Sequence, residues 1–172
     1  VAPNGKDAML RHARELTEAG VPWIFDPGQA LPMFSGEELT TLLKGATALA
    51  VNDYECQLMV EKTGRSQEEL AEDVEAMIIT RGAQGSILLQ AGRREEIACV
   101  PIASAVDPTG CGDAYRGGLL YGLASELGWS VAARLGSVMG AIKIEQHGPQ
   151  NHSIDRESVA ARYHAVFGVM PW

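Results

Sequence analysis

Ala46-Thr47-Ala48-Leu49-Ala50-Val51 is an almost unbroken apolar run ending at Asn52, and Met77-Ile78-Ile79-Thr80 repeats the pattern further along. A strand with one wet face alternates apolar and polar residues, whereas a strand covered on both faces reads as a continuous apolar run. Both segments are therefore expected to be interior strands of a largely parallel sheet. Between and around them lie helix signals. Ser35 with Glu38 spells a capping box for a helix over 36–44, and Ser66 with Glu69 spells a second one. Helix alternating with buried strand indicates an α/β domain. In such sheets ligands bind beyond the carboxyl ends of the strands, where Asn52, Thr80 and the segment around Asp107 are placed.

The remaining elements follow from the same rules. Asn4 is expected to cap a helix over 5–19, with Ala8, Met9, Ala13 and Leu16 near helical spacing and Gly20 as its stop. A short strand over 21–25 ends in the turn signal Asp26-Pro27-Gly28. A helix over 54–62 follows Asn52. Strands over 86–90 and 96–101 pair as a hairpin across Ala91-Gly92-Arg93. Two helices rich in small residues span 113–127 and 130–144, and Asp155 caps a last helix to Phe167. There is no repeat, low-complexity tract or linker.

The chain has 172 residues, of which 46% are apolar and 21% charged, an ordinary balance for a globular domain. Its 14 Lys and Arg stand against 22 Asp and Glu, a net charge of −8 that leaves little for the basic face a nucleic-acid binder needs. No apolar run approaches the roughly 20 residues that span a bilayer. Cys56, Cys99 and Cys111 are odd in number and widely spaced, the pattern of reduced thiols in a cytoplasmic protein. The chain opens on Val1 and passes almost at once into a helix, which reads as a piece of a longer polypeptide.

Asp107-Pro108-Thr109-Gly110-Cys111-Gly112-Asp113-Ala114-Tyr115 is the stretch that carries chemistry. A loop with two glycines runs straight into a helix, so several unpaired N–H groups converge where the helix dipole is positive, an anion site. Glycine at 110 and 112 lets backbone come close to a phosphate. A carboxylate at 113 repels an anion if binding is the only task; it makes sense as a general base toward an attacking hydroxyl. Spacing alone leaves that reading level with a plainer one, in which Asp113 caps its helix and the glycines make a tight turn. The loop is neither a Walker A sequence nor a dinucleotide fingerprint.

Asp107 to Gly118, DPTGCGDAYRGG, resembles the C-terminal signature of the ribokinase, or PfkB, family of kinases, whose common form is D-[TP]-T-G-[AC]-G-D-[AS]-F. The resemblance implies a ribokinase-like α/β fold. It makes Asp113 the catalytic base, with Gly110, Cys111 and Gly112 in the anion hole, and ATP with Mg²⁺ as the cofactors. Asn52-Asp53-Tyr54-Glu55 is similar to the family's N-x-x-E motif, which assigns Asn52 to nucleotide and metal and Glu55 to metal, largely through water. Thr80-Arg81-Gly82-Ala83-Gln84-Gly85 is similar to the T-x-G-x-x-G stretch, which lays Thr80, Gly82 and Gly85 along the nucleotide. His147 to Asn151 stands where the family has an adenine-side loop, giving Gly148 and Asn151. His147 and His152 by themselves read as surface histidines.

Finer features resemble bacterial adenosine kinases. These are Arg116 after DPTGCGDAY, Phe25-Asp26-Pro27-Gly28-Gln29 with Met33, Ser35 and Gly36-Glu37-Glu38, and Lys62-Thr63-Gly64 beside the N-x-x-E motif. They imply transfer of the γ-phosphate to the 5′-hydroxyl of adenosine. A sugar acceptor such as ribose or fructose, or a nucleotide-binding piece inactive without its other half, are the alternatives. The match covers nearly all of residues 1–172 but only about the second half of a family member. The partner implied is thus the N-terminal half with its lid and most of the acceptor pocket. Arg116 either reaches a phosphate or lies on the surface, Tyr115 stands for the commoner Phe as a core residue, and Cys111 fills space or carries a lowered pKa.

Overall fold

β2 (Ala48–Asn52) and β3 (Ala76–Thr80) lie side by side and parallel, with Leu49 opposite Met77, Val51 opposite Ile79 and Asn52 opposite Thr80. The first four residues of each are buried and the last half-buried, as an interior strand ending at a ligand-facing edge requires. The computed structural model describes residues 5–172. They form two units, residues 5–81 with 87–94 and residues 82–86 with 95–172.

The first unit runs through α1 (Lys6–Glu18), β1 (Ile24–Phe25), a 3-10 helix (Gly28–Met33), α2 (Gly36–Gly45), β2, α3 (Asp53–Thr63), α4 (Gln67–Ala71) and β3. β4 (Ser86–Gln90) and the start of β5 (Arg93–Ile97) complete its sheet, in the order β1-β2-β3-β4-β5. β1, β2 and β3 are mutually parallel. The two-residue turn between β4 and β5 makes that pair an antiparallel hairpin. Leu49, Val51, Met77 and Ile79 pack with Phe25, Phe34, Leu39, Leu43, Met59 and Leu70 into one core. Burying a Leu, Ile or Phe side chain in this way is worth about 1.5–3 kcal/mol. Both expected capping boxes are present, with Ser35 accepting from Glu38 N and Ser66 from Glu69 N.

The second unit holds α5 (Cys111–Ala124), α6 (Gly128–Ile144) and α7 (Arg156–Phe167). α5 and α6 meet at glycines. A methyl group at Gly118 would stand 2.7 Å from Leu135 O, one at Gly122 would stand 2.6 Å from Ala132 Cα, and one at Gly136 would strike the Tyr115 ring at 2.8 Å. This is why the two helices are built from small residues. Val100, Leu135, Val138, Ala141, Val159 and Tyr163 form the core beside α7. Asp155 caps α7 as expected, accepting from Ser158 N at 2.8 Å.

Several boundaries differ from the reading of the sequence. The N-cap of α1 is Gly5 in an extended conformation, and Asn4, the expected cap, lies outside the described residues. β1 is only Ile24–Phe25, because Pro22 has no N–H to give to a ladder. The turn signal at residues 26–28 opens into the 3-10 helix. The hairpin turn is Ala91-Gly92, both with positive φ (50° and 70°), which matches the twist of a tight hairpin and lets β5 start at Arg93. β5 therefore covers 93–97 and not 96–101; its charged residues Arg93, Arg94 and Glu96 suit a sheet edge. α5 starts at Cys111, earlier than expected, because Gly110 is its N-cap and Ala114 N already bonds Gly110 O. It ends at Ala124, short of Leu127, where Glu126 turns left-handed (φ 57°). No helix of the described residues is long and apolar enough to cross a membrane.

Candidate functional site

The segment 107–113 is shaped by its own backbone and by the end of α6. Gly110 sits at φ 80°, a left-handed conformation that favours glycine. A methyl group there would also press on Pro149 at 3.0 Å. Cys111 N donates to Pro108 O, so the first helical N–H is used. Among the described residues, the N–H groups of Gly110, Gly112 and Asp113 donate to no protein acceptor. They open the 14 residues of α5, where the helix dipole favours an anion.

Asp113 is the third residue of α5, not its cap. Its carboxylate is exposed and bonds to no described residue. The capping explanation for Asp113 is therefore excluded. Arg116 is half-buried one turn further on, with Nη1 2.6 Å from where a methyl group on Gly112 would stand, so its guanidinium lies against the first turn of α5. Tyr115 is core, as expected, and its hydroxyl shares a 2.8 Å hydrogen bond with buried Ser86. Burial pushes that phenol up to about 12. The Cys111 thiol is likewise pushed up by partial burial, with nearby Lys143 pulling the other way. A lowered pKa at the helix start is not what this cysteine has.

Asp107 organises the loop. Its carboxylate accepts from Thr109 N at 2.9 Å and from Gly148 N at 2.8 Å, and these bonds hold it well below the usual range, at about 2. Its backbone N–H and that of Val106 both donate to Ile144 O, at the end of α6. Arg162 grips Glu145 through two bonds of 2.8 and 3.1 Å and reaches Pro101 O at 2.9 Å, while Glu145 accepts from Ala103 N. The segment leading into the site is thus pinned along its length.

Gly148 is left-handed (φ 76°), and a methyl group on it would meet Asn151 Nδ2 at 2.7 Å. The 146–148 turn is thereby tied to Asp107, with Asn151 folded over it. His147 is exposed and His152 half-buried. Gly82 and Gly85 differ from each other. Gly85 is left-handed (φ 79°), and its Cβ position lies 2.1 Å from Ile97 O, so close backbone packing explains it. Gly82 has a positive φ (55°) but open space around it, and leaves its backbone accessible.

In the first unit, Asn52 and Glu55 form a third capping box, at the start of α3. Asn52 Oδ1 accepts from Glu55 N at 2.7 Å and Glu55 Oε2 accepts from Asn52 N at 2.8 Å. Thr80 is the register partner of Asn52, and its hydroxyl donates to Val51 O at 3.4 Å. The capping role was legible in the same N-x-x-E spacing. The other segments singled out in this unit also meet. Lys62 Nζ donates to Pro32 O at 3.1 Å and Phe34 O at 2.9 Å, and a methyl group on Gly36 would stand 2.1 Å from Lys62 O.

The model of the pfkB family of carbohydrate kinases matches residues 1–156. The chain belongs to that family. The nucleoside kinase of Burkholderia thailandensis, solved in complex with inosine, superposes with a TM-score of 0.96 at 48% identity, over 99% of this chain and 56% of that one. Its complex with ADP and inosine superposes with a TM-score of 0.95. The nucleoside kinase of Methanocaldococcus jannaschii is 29% identical over 138 residues, 80% of this chain and 46% of its own length. This member of the pfkB family thus spans about half the length of the relatives it matches. Their names speak of nucleosides in general, a broader class than the adenosine implied by the finer sequence features.

Each unit by itself carries groups that suit part of a magnesium nucleotide. The N–H groups at 110, 112 and 113, which meet no acceptor among the described residues, together with glycines without a Cβ and the Arg116 guanidinium, suit phosphate oxygens. Among the described residues no group of three His, Cys, Asp or Glu side chains could hold a metal alone. Glu55 has one oxygen in the capping box and one left over. That is compatible with Mg²⁺, which keeps several waters and shares the phosphate oxygens of its substrate.

Proposed function

We propose that this chain is the ATP-binding and phosphoryl-transfer portion of a nucleoside kinase that acts on the 5′-hydroxyl of a purine nucleoside, adenosine first. Asp113 carries this reading: an exposed carboxylate with no partner among the described residues, set in a helix start whose N–H groups are otherwise suited to anions. The helix dipole favours a carboxylate in this first turn, and one that caps no N–H there keeps its oxygens available to serve as a base. Asp113 takes the proton of the acceptor hydroxyl as that oxygen attacks the γ-phosphate. The N–H groups of Gly110, Gly112 and Asp113 take up the charge that develops on the transferred group. Cys111 completes this turn by spacing its neighbours. Thr80, Gly82 and Gly85, with Gly148 and Asn151, line the nucleotide. Asn52 and Glu55 are the residues that would hold magnesium through water, and the bound ion would supply positive charge toward the phosphates. The nucleoside acceptor is supported by the inosine complex of the Burkholderia thailandensis relative.

The test is ADP formation by the full-length protein with adenosine, inosine, ribose and fructose as acceptors, beside Asp113→Asn. Nucleosides are expected to exceed free sugars in kcat/KM. The variant is expected to lose about 10²–10⁴-fold in kcat while binding Mg·ADP like the wild type. A sugar that outperforms both nucleosides overturns the acceptor, and an unimpaired variant overturns the base.

A further inference from the structure

Lys143 is fully buried at 0% exposure, in the last turn of α6, where a lysine would ordinarily extend into solvent. Among the described residues no carboxylate lies at ion-pair distance from it; its ammonium donates to two backbone carbonyls, Asp107 O at 2.7 Å and Gln146 O at 3.0 Å. A buried charge is expensive unless well bonded, and an apolar side chain would fill this place more cheaply if packing were the only need. What an apolar side chain cannot do is hold two carbonyls of different segments on one atom. Asp107 opens the anion loop, and Gln146 opens the turn that leads to Gly148. The Asp107 carboxylate ties the same two segments a second time, through Gly148 N. The two links lie on the two ends of one residue, so the ammonium fixes the carbonyl side while the carboxylate fixes the other.

We propose that Lys143 is a positioning residue: its buried ammonium bridges the Asp107 and Gln146 carbonyls and so sets the spacing between the 110–113 N–H groups, which receive nucleotide phosphate, and the Gly148 turn. The inference rests on the reading of 110–113 as a phosphate site. Lys143 touches no substrate; it acts through the loop it holds. Its charge, close beneath that loop, adds to the positive potential there.

The test compares wild type, Lys143→Ala and Lys143→Met in the full-length protein by hydrogen exchange without nucleotide and by Mg·ADP affinity. In both variants the peptides covering 105–115 and 145–152 are expected to exchange at least tenfold faster, with β2 and β3 unchanged, and Mg·ADP to bind at least tenfold more weakly. Methylammonium chloride should restore slow exchange and affinity in Lys143→Ala, which leaves room for it, but not in Lys143→Met. Tetramethylammonium chloride, which has no N–H to donate, should restore neither. Equal rescue by the two salts, or variants with unchanged exchange and affinity, overturns the proposal. If neither variant folds, the wild type decides: both peptides must exchange together and at the rate of α6, and independent fast exchange of either one overturns the tie. A wild type that binds no Mg·ADP overturns the phosphate reading itself, whereas normal wild-type binding with unaffected variants overturns only the role of Lys143.

Discussion

The Gly148 N–H donates to the Asp107 carboxylate at 2.8 Å across 41 positions of sequence, joining the 146–148 turn to the segment that carries Asp113. With the bond from Thr109 N, it explains why this carboxyl stays ionised down to about pH 2, below its ordinary 3.8. Both bonds are made by the charged form, so folding favours ionisation.

The sign of the pH dependence follows. A carboxyl whose pKa is lowered by folding contributes stability that is fully present above its unfolded pKa, near 4, and lost as pH falls through its folded value of about 2. Asp107→Asn should therefore be less stable than wild type at pH 7, and the gap should close between about pH 4 and about pH 2. Urea midpoints measured from pH 2 to 7 check this. Acid limbs that run parallel in the two proteins would show that Asp107 does not report the tie.

Three glycines of the candidate site should differ in what a methyl group costs. At Gly82 the only penalty is the left-handed backbone, about 1–2 kcal/mol, since nothing lies within 4 Å of its Cβ position. At Gly110 the same penalty is joined by Pro149 at 3.0 Å, which would have to give by a few tenths of an ångström. At Gly85 a backbone oxygen at 2.1 Å cannot yield without parting β4 from β5. Overpacking of that kind adds about 1–3 kcal/mol. Thermal melts should rank the alanine variants with Gly82 mildest and Gly85 most severe. If Gly82→Ala melts near wild type yet weakens Mg·ADP binding, its accessible backbone serves the nucleotide.

Tyr115 stands where the family more often has Phe, and its hydroxyl is paired with Ser86, itself buried at 0%. Tyr115→Phe leaves the Ser86 hydroxyl buried without that partner and should cost about 1–3 kcal/mol. Ser86→Ala with Tyr115→Phe removes both partners and should cost less than the sum of the single changes. A double-mutant cycle on urea unfolding reads the coupling; additive effects would mean the bond contributes nothing net.

Much of this was legible beforehand because it depends on local rules. The runs ending at Asn52 and Thr80 gave parallel strands whose polar ends are register partners, and two capping boxes were plain from spacing. The third box was seen only as a functional motif, though its spacing is the same; a helix start and a ligand site make identical demands on Asn52 and Glu55. β5 was misplaced because Ile97 to Val100 is more apolar than the charged edge strand Arg93–Ile97. Lys143 left no mark at all. Its partners are main-chain carbonyls of distant residues, and a lysine near a helix end has an ordinary explanation in the helix dipole.

The two roles of Glu55 can be separated by one atom. Its Oε2 accepts from Asn52 N, so Glu55→Ala should lose about 0.5–1.5 kcal/mol of stability through the missing cap bond. Glutamine is equally competent at this position of a capping box, so Glu55→Gln should melt within a degree or two of wild type. It lacks the charge, however, and should need at least several-fold more magnesium to bind ADP with wild-type affinity. Magnesium titrations of ADP binding, run beside thermal melts, distinguish the two roles. A Glu55→Gln protein with wild-type stability and wild-type magnesium dependence leaves this residue a helix cap and removes the metal from the N-x-x-E segment.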